Sequence, residues 1–260
     1  MNKITSKDNK LIKLVQNLIS SKKSRDLEGL FVVEGLKPVM ELTKEYEIVS
    51  IIVSQDFAKL NENSLLNAND SITYEIPDNL YKGLSYMTSP EGIMAIVKKP
   101  TFDINMLLTN DILKLIYLDN IQDPGNLGTI IRTADAFNIS GVILSKNSVD
   151  AFSPKVVRST MGSMFHLPII TEVDNIETLN KLKENNIQVL ATNIKSNNFI
   201  SDININESKI CVVIGNEAHG VQKEIIDISD DSFKIKMPGR AESLNAGIAA
   251  SIIMYELTRE

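Results

Sequence analysis

Five side chains at three places in the sequence have the types and spacing to handle a polar substrate. They are Asn126 and Arg132 in DPGNLGTIIRTADAF, Glu217 in VVIGNEAHGVQ, and Ser243 and Asn245 in MPGRAESLNAGIAAS. A guanidinium beside a carboxylate or a phosphate makes a planar, charge-assisted pairing that fixes geometry. Each stretch follows a strand-like run and precedes a helical pattern, so each reads as a loop at a strand end. Ordinary local roles exist for all five. Asn126 fits the N-cap of its helix, with Arg132 two turns further in and open to water. Glu217 fits a cap for the following helix. Ser243 fits the N-cap of the last helix, with Asn245 as its second residue. Small neighbours Ala246, Gly247 and Ala249 admit another backbone or a ligand at close range. Capping alone leaves unexplained why all three loops carry such groups, and in a parallel sheet strand-end loops converge.

Nucleotide-phosphate chemistry is the first alternative for these loops. Gly215 and Gly220 match the glycine spacing of a P-loop, but Val221 and Gln222 stand where the motif needs Lys and Ser or Thr. Without the lysine and the magnesium-holding hydroxyl the mechanism is lost, and Glu217 would repel a triphosphate. PGNLG at 124–128 has two glycines of a dinucleotide fingerprint and lacks the first.

The elements that position the loops come in two groups. From 112 onward strands and helices alternate: ILKLIYLDN, GVILS, IQVLAT, ICVVIG and FKIKM are strands. NLGTIIRTADAFN, SPKVVRSTMGSMF, IETLNKLKENN, VQKEIIDI and SLNAGIAASIIMYELTRE are helices. This rhythm predicts a parallel sheet covered on both faces. Residues 1–100 mix strands (31–35, 48–54, 72–77, 92–99) with helices, notably KDNKLIKLVQNLIS at 7–20, whose apolar residues at 11, 12, 14, 15, 18 and 19 leave lysines on the other side. Residues 101–111 lack a clear period and read as a linker to a domain over 112–260. The chain has 260 residues and a net charge of −6. Within the first 25, Lys3, Lys7, Lys10, Lys13, Lys22, Lys23 and Arg25 face only Asp8, so this end carries +6 and the remainder −12. A basic end on an acidic body can meet a phosphate backbone. No apolar run is long enough to span a membrane, and MNKITSKDNK lacks a signal-peptide core. Cys211 lies in a strand-like run and reads as a buried, inert thiol. These features predict a cytoplasmic protein.

The N…R motif in DPGNLGTIIRTADAF, the GNEAHGV loop and MPGRAESLNAGIAASIIMYE resemble, in order and spacing, the three motifs of the SpoU (TrmH) family of RNA ribose methyltransferases, within the SPOUT class. The front third, with RDLEGLFVVEGLKPVMEL, resembles the L30e-like substrate-binding domain that precedes it in some members. The resemblance implies an α/β chain: a C-terminal parallel sheet with a deep trefoil knot, preceded by a smaller L30e-like domain. It implies a homodimer and S-adenosylmethionine (SAM) as methyl donor, with Gly215, Ile235 and Leu244 lining its site and Thr192 and Met237 giving backbone contacts. Gly215 and Gly220 would then permit close approach to an adenosyl group.

The implied reaction moves a methyl group from SAM to a ribose 2′-hydroxyl. Family position puts Arg132 at that hydroxyl. The family role is written as general base; because free guanidinium has a pKa above about 12 and no acceptor lone pair while protonated, the alternative is a clamp on the adjacent phosphate or on the developing alkoxide, with a phosphate oxygen or water taking the proton. Asn126 would position Arg132 or the ribose, Glu217 would orient Arg132, and Ser243 and Asn245 would hold the nucleotide or the last turn. No metal is expected, and His166 and His219 lack clustered partners. Lys7, Lys10, Lys13, Lys22, Lys23, Arg25 and Arg158 are candidate RNA contacts. Large-subunit ribosomal RNA is the expected substrate, with transfer RNA as the alternative. A non-catalytic RNA-binding protein is the rival class.

Overall fold

The computed structural model describes residues 1–61, 72–204 and 207–259, which leaves Glu260 of the expected last helix outside. The chain divides into two compact units: Met1–Pro100 with Phe152–Phe165, and Thr101–Ala151 with His166–Glu260.

In the first unit the order is β1 (Asn2–Lys3), α1 (Lys10–Ser20), α2 (Lys22–Glu28), β2 (Leu30–Glu34), α3 (Leu36–Met40), β3 (Ile48–Ser54), α4 (Gln55–Leu60), β4 (Thr73–Ile76), α5 (Asp78–Leu84) and β5 (Ile93–Lys98). Among the described residues these strands form one mixed sheet in the order β1-β4-β3-β5-β2. The side chain of Asn9 caps α1 by accepting from Leu11 N–H. Ile12, Val15 and Leu18 of α1 pack with Val32, Ile52, Ile76, Tyr81 and Met94, and the lysine face stays exposed as its period predicts. Arg25 departs from expectation. It is buried, and its Nη1 donates to the carbonyls of Leu18 and Ile19, satisfying the open end of α1. That guanidinium serves the fold and is withdrawn from the RNA-contact set.

A second departure concerns SPKVVRSTMGSMF. The helix α8 (Pro154–Thr160) forms as expected, yet residues 152–165 pack with the first unit. Phe152 packs against Phe31 with tilted rings 4.9 Å apart, Phe165 meets Tyr46 edge-on at 4.9 Å, and the Tyr46 hydroxyl donates to the Met164 carbonyl at 2.8 Å. Alternation along β2 sends Phe31 to the face opposite Val32, so both faces of this sheet are covered.

The second unit contains α6 (Ile104–Leu108), β6 (Leu113–Leu118), α7 (Pro124–Ala136), β7 (Gly141–Ser145), β8 (Ile169–Val173), α9 (Asn175–Glu184), β9 (Gln188–Thr192), β10 (Lys209–Ile214), α10 (Lys223–Ile228), β11 (Asp231–Phe233) and α11 (Ala246–Thr258). Among the described residues the strands form one sheet, β11-β9-β10-β6-β7-β8, with every pairing parallel. The expected linker 101–111 contains α6, whose Ile104 and Leu107 sit in the core with Leu115, Tyr117, Leu179, Leu182 and Val213. The run IITEV forms β8, a strand the sequence reading left unassigned. The last strand, Asp231–Phe233, starts and ends earlier than FKIKM predicts, and Lys234 continues it only as a single parallel bridge to Phe199. Cys211 is fully buried, and burial pushes its thiol far up. On the other face, α7 and α11 touch: a Cβ on Gly247 would lie 3.3 Å from Thr129, and the Thr133 and Ser251 hydroxyls are 3.0 Å apart.

Candidate active site

Strand order brings the candidate loops together. The chain builds β7 and β8 on one side of β6, then returns to place β10 on the other. In register, Leu118 at the end of β6 faces Ile214 at the end of β10. The loops leaving those two residues therefore start side by side, at the kind of switch point where open α/β sheets bind ligands.

Helix α7 is capped by Asp123, whose side chain accepts from Asn126 N–H at 2.8 Å, with Pro124 in the first turn. Asn126 is thus the third helical residue and not the cap, which frees its side chain for other partners. Its Nδ2 donates to Glu217 Oε1 at 2.8 Å, and its Oδ1 accepts from Asn245 Nδ2 at 2.8 Å. Glu217 also accepts from the N–H groups of Gln122 and Asp123, both at 3.4 Å. That places a carboxylate at the positive end of α7, where the helix dipole favours it. Asn245, not Ser243, is the N-cap of α11, and its Oδ1 accepts from Ile248 N–H at 3.2 Å. One amide of each family-like stretch and the carboxylate between them form a single chain: Glu217 to Asn126 to Asn245.

The other two candidates stand apart. Arg132 is exposed on α7, and among the described residues no hydrogen bond or ion pair engages its guanidinium. Six residues separate it from Asn126, about 120° around the helix and about 9 Å along it. Glu217 binds Asn126 and the start of α7, so the expected Glu217–Arg132 pairing is replaced. Ser243 is exposed and likewise without a hydrogen bond among the described residues.

The loop carrying Glu217 is closed on itself. Asn216 and Gly220 exchange two backbone hydrogen bonds of 3.1 and 2.9 Å, and Asn216 Oδ1 accepts from the N–H groups of Ala218 and His219. A Cβ on Gly215 would lie 2.1 Å from the Gly220 carbonyl carbon and from Val221 N, so only glycine fits. Residues absent from the sequence-based set hold this loop: Asp119, Asn120, Gln122 and Gln222. Asn216 Nδ2 donates to Asn120 O at 2.8 Å, and Gln222 donates twice to the Asp119 carboxylate. Asp119 and Asn120 carry only the signal of polar residues directly after a strand, and Gln122 and Gln222 carry none.

The positions expected to meet SAM collect at the same sheet end. Thr192 closes β9 beside Phe233 of β11, and its Oγ1 donates to Val213 O at 3.0 Å. Gly215 lies two residues beyond Val213. Lys234 and Lys236 reach over the Phe199 ring, 5.2 and 5.8 Å from its centroid. Alternation in the extended segment then turns Ile235 and Met237 the other way. Ile235, Met237 and Leu244 are half-buried. From Ile235 to Leu244, no backbone N–H or carbonyl makes a hydrogen bond among the described residues. Half-buried apolar side chains alternating with unpaired main-chain donors and acceptors suit an adenosyl group bound by backbone. Among the described residues no group of His, Cys, Asp and Glu could hold a metal ion, and no helix is long and apolar enough to cross a membrane.

Comparisons with known proteins agree with this geometry. The SpoU rRNA methylase family profile matches residues 114–255, and an MRM3-like substrate binding domain profile matches residues 9–95. The chain is 31% identical to the 23S rRNA (guanosine(2553)-2′-O)-methyltransferase RlmP of Bacillus subtilis, covering 99% of each chain. It superposes on the AdoMet-bound rRNA methyltransferase of Sinorhizobium meliloti with a TM-score of 0.87, at 28% identity, over 98% of this chain and 97% of that one. The SpoU methyltransferase AviRb of Streptomyces viridochromogenes, in complex with AdoMet, gives a TM-score of 0.87 at 26% identity, covering 96% and 97%. The chain belongs to the SpoU rRNA methylase family, as a SAM-dependent RNA ribose 2′-O-methyltransferase with an N-terminal substrate-binding domain.

Proposed function

We propose that this enzyme methylates a ribose 2′-hydroxyl of 23S ribosomal RNA in the cytoplasm, as a homodimer whose second unit is knotted. The observation that carries the reading is the Glu217–Asn126–Asn245 chain at the same sheet end as an unpaired main-chain segment. SAM supplies an electrophilic methyl group. The backbone of Ile235–Leu244, with Gly215 and Thr192, holds the adenosyl part. Asn126 and Asn245 are fixed by Glu217 and by the cap of α11, so their amides stay oriented without reorganisation when substrate arrives. Arg132, exposed and unpaired, clamps the substrate phosphate or the developing alkoxide, while a phosphate oxygen or water accepts the proton. Ser243 contacts the nucleotide.

RNA selection falls to the first unit. Lys7, Lys10, Lys13, Lys22 and Lys23 are exposed along its basic end, and Arg158 is exposed on α8. Lys13 holds Asp8 at 3.3 Å, a surface pair that a phosphate can displace. Ile248 and Tyr255 of α11 are 52% and 53% exposed, an apolar pair suited to a second copy. The test is transfer of a labelled methyl group from SAM to 23S rRNA and to tRNA, both from cells lacking the gene, followed by mapping of 2′-O-methyl sites. Labelling of tRNA alone would overturn the substrate assignment. Sedimentation of a monomer at assay concentration would overturn the dimer.

A further inference from the structure

We infer that Asp119 is a positioning residue for methyl transfer, acting through the Gly215–Gln222 loop. This role rests on the methyl-transfer reading above. Asp119 is completely buried. Among the described residues no lysine, arginine or histidine pairs with it. A carboxylate in that position is costly unless hydrogen bonds compensate, and an apolar residue continuing the strand Leu113–Leu118 would avoid the cost. The compensation comes almost wholly from the loop. Gln222 N–H donates at 2.8 Å and Gln222 Nε2 at 2.6 Å, with Asn175 Nδ2 more distant at 3.4 Å. Asn175 is itself fixed by the Tyr117 hydroxyl at 2.6 Å.

The neighbouring residue holds the other end of the loop, through Asn216 Nδ2 and the Asn120 carbonyl. Two consecutive residues thus grip the loop at both ends, and Glu217 lies between the grips. Its carboxylate must reach Asn126 at 2.8 Å for the amide chain to exist. With Asp119 removed, Gln222 loses both donors' partner and Glu217 loses one of its two fixed bases. The transferred methyl never touches Asp119.

The test compares wild type, Asp119→Ala, Asp119→Asn, Gln222→Ala, Glu217→Ala and the Asp119→Ala/Glu217→Ala pair. Calorimetry counts SAM-binding sites, and labelled-methyl transfer to 23S rRNA gives kcat per SAM-binding site. D119A should lower that kcat by about 10-fold or more, the range for losing a hydrogen bond to a charged group. D119N should recover to within about 3-fold of wild type, because Gln222 can turn its amide to meet an Asn. The double variant should be no worse than E217A alone, since both changes break one chain of contacts. A merely structural role would lower melting temperature and the number of SAM sites while leaving kcat per site unchanged, and that result overturns the assignment. If D119A does not fold, Q222A decides: an unchanged kcat per site there, or D119N as impaired as E217A, rejects it. An inactive wild type would sink the methyl-transfer reading and this role together, whereas an active wild type with unimpaired variants sinks this role alone.

Discussion

Two stretches at one end of the second sheet satisfy their polar groups in opposite ways. Around the loops after β6 and β10, Asp119, Asn120, Gln122, Asn126, Asn216, Glu217 and Gln222 all bond to one another or to the start of α7. From Ile235 to Leu244 the main chain bonds to nothing among the described residues. The first stretch has its geometry set before any ligand arrives, as a site must if it is to align reacting groups. The second keeps its donors and acceptors open, as a stretch must if it is to recognise an adenosyl group through backbone. The proposed function assigns chemistry and cofactor binding to different stretches, and mutations should separate them.

The largest separation should come from Arg132, which belongs to neither stretch. Arg132→Ala should cut kcat by about 10³-fold, comparable to losing one donor to a developing oxyanion. SAM affinity by calorimetry should stay within about 3-fold of wild type. A matching loss of SAM affinity would erase the division between binding and chemistry. Next is Gly215→Ala. The added Cβ meets backbone at 2.1 Å, so the loop must shift. Because Gly215 opens the Glu217 loop and is proposed to meet SAM, SAM affinity and kcat should each fall by about 10-fold or more, and melting temperature should drop with an overpacking cost of about 1–3 kcal/mol. Retained affinity with lost turnover would move Gly215 wholly to the catalytic side. Glu217→Ala should lower kcat by about 10-fold, with SAM affinity unchanged. Glu217→Gln should do less harm, because its amide oxygen still accepts from Asn126.

How far the same division was readable from sequence depends on what kind of signal each part leaves. Strands such as ICVVIG and GVILS declare themselves through β-branched runs, and α1 through its apolar period. The network does not. Asp123–Pro124 is an N-cap followed by a first-turn proline, a legible helix start, yet Asn126 fits the cap type equally well and took its place in the reading. Asn245 displaced Ser243 as the cap of α11 for the same reason: both residue types cap, and only geometry chooses. FKIKM alternates like a strand, but the sheet ends at Phe233, Lys234 bridges only to Phe199, and Lys234 and Lys236 lie over the Phe199 ring. Arg25 counted as surface charge because nothing local marks a guanidinium that turns back onto Leu18 and Ile19. The packing of 152–165 with the first unit depends on aromatic contacts from distant sequence, Phe31 and Tyr46, which no local pattern encodes.

The smallest expected effect tests the open stretch directly. Amide hydrogen exchange should be fast at Lys236, Gly239, Ala241 and Leu244 in the free enzyme, because unpaired amides exchange without waiting for an opening event. Asp119, Asn216, Ala218, His219, Gly220 and Gln222 should already be slow, because their amides are paired. Saturating SAM should slow the 235–244 amides several-fold and leave 216–222 nearly unchanged. The asymmetry follows from where bonds remain to be made: a ligand can only protect donors that it newly engages, and the loop of Glu217 has few to offer. Equal protection of both stretches would mean that SAM binding orders the catalytic loop as well. The network around Asn126 would then be a consequence of cofactor binding, not a frame that awaits it.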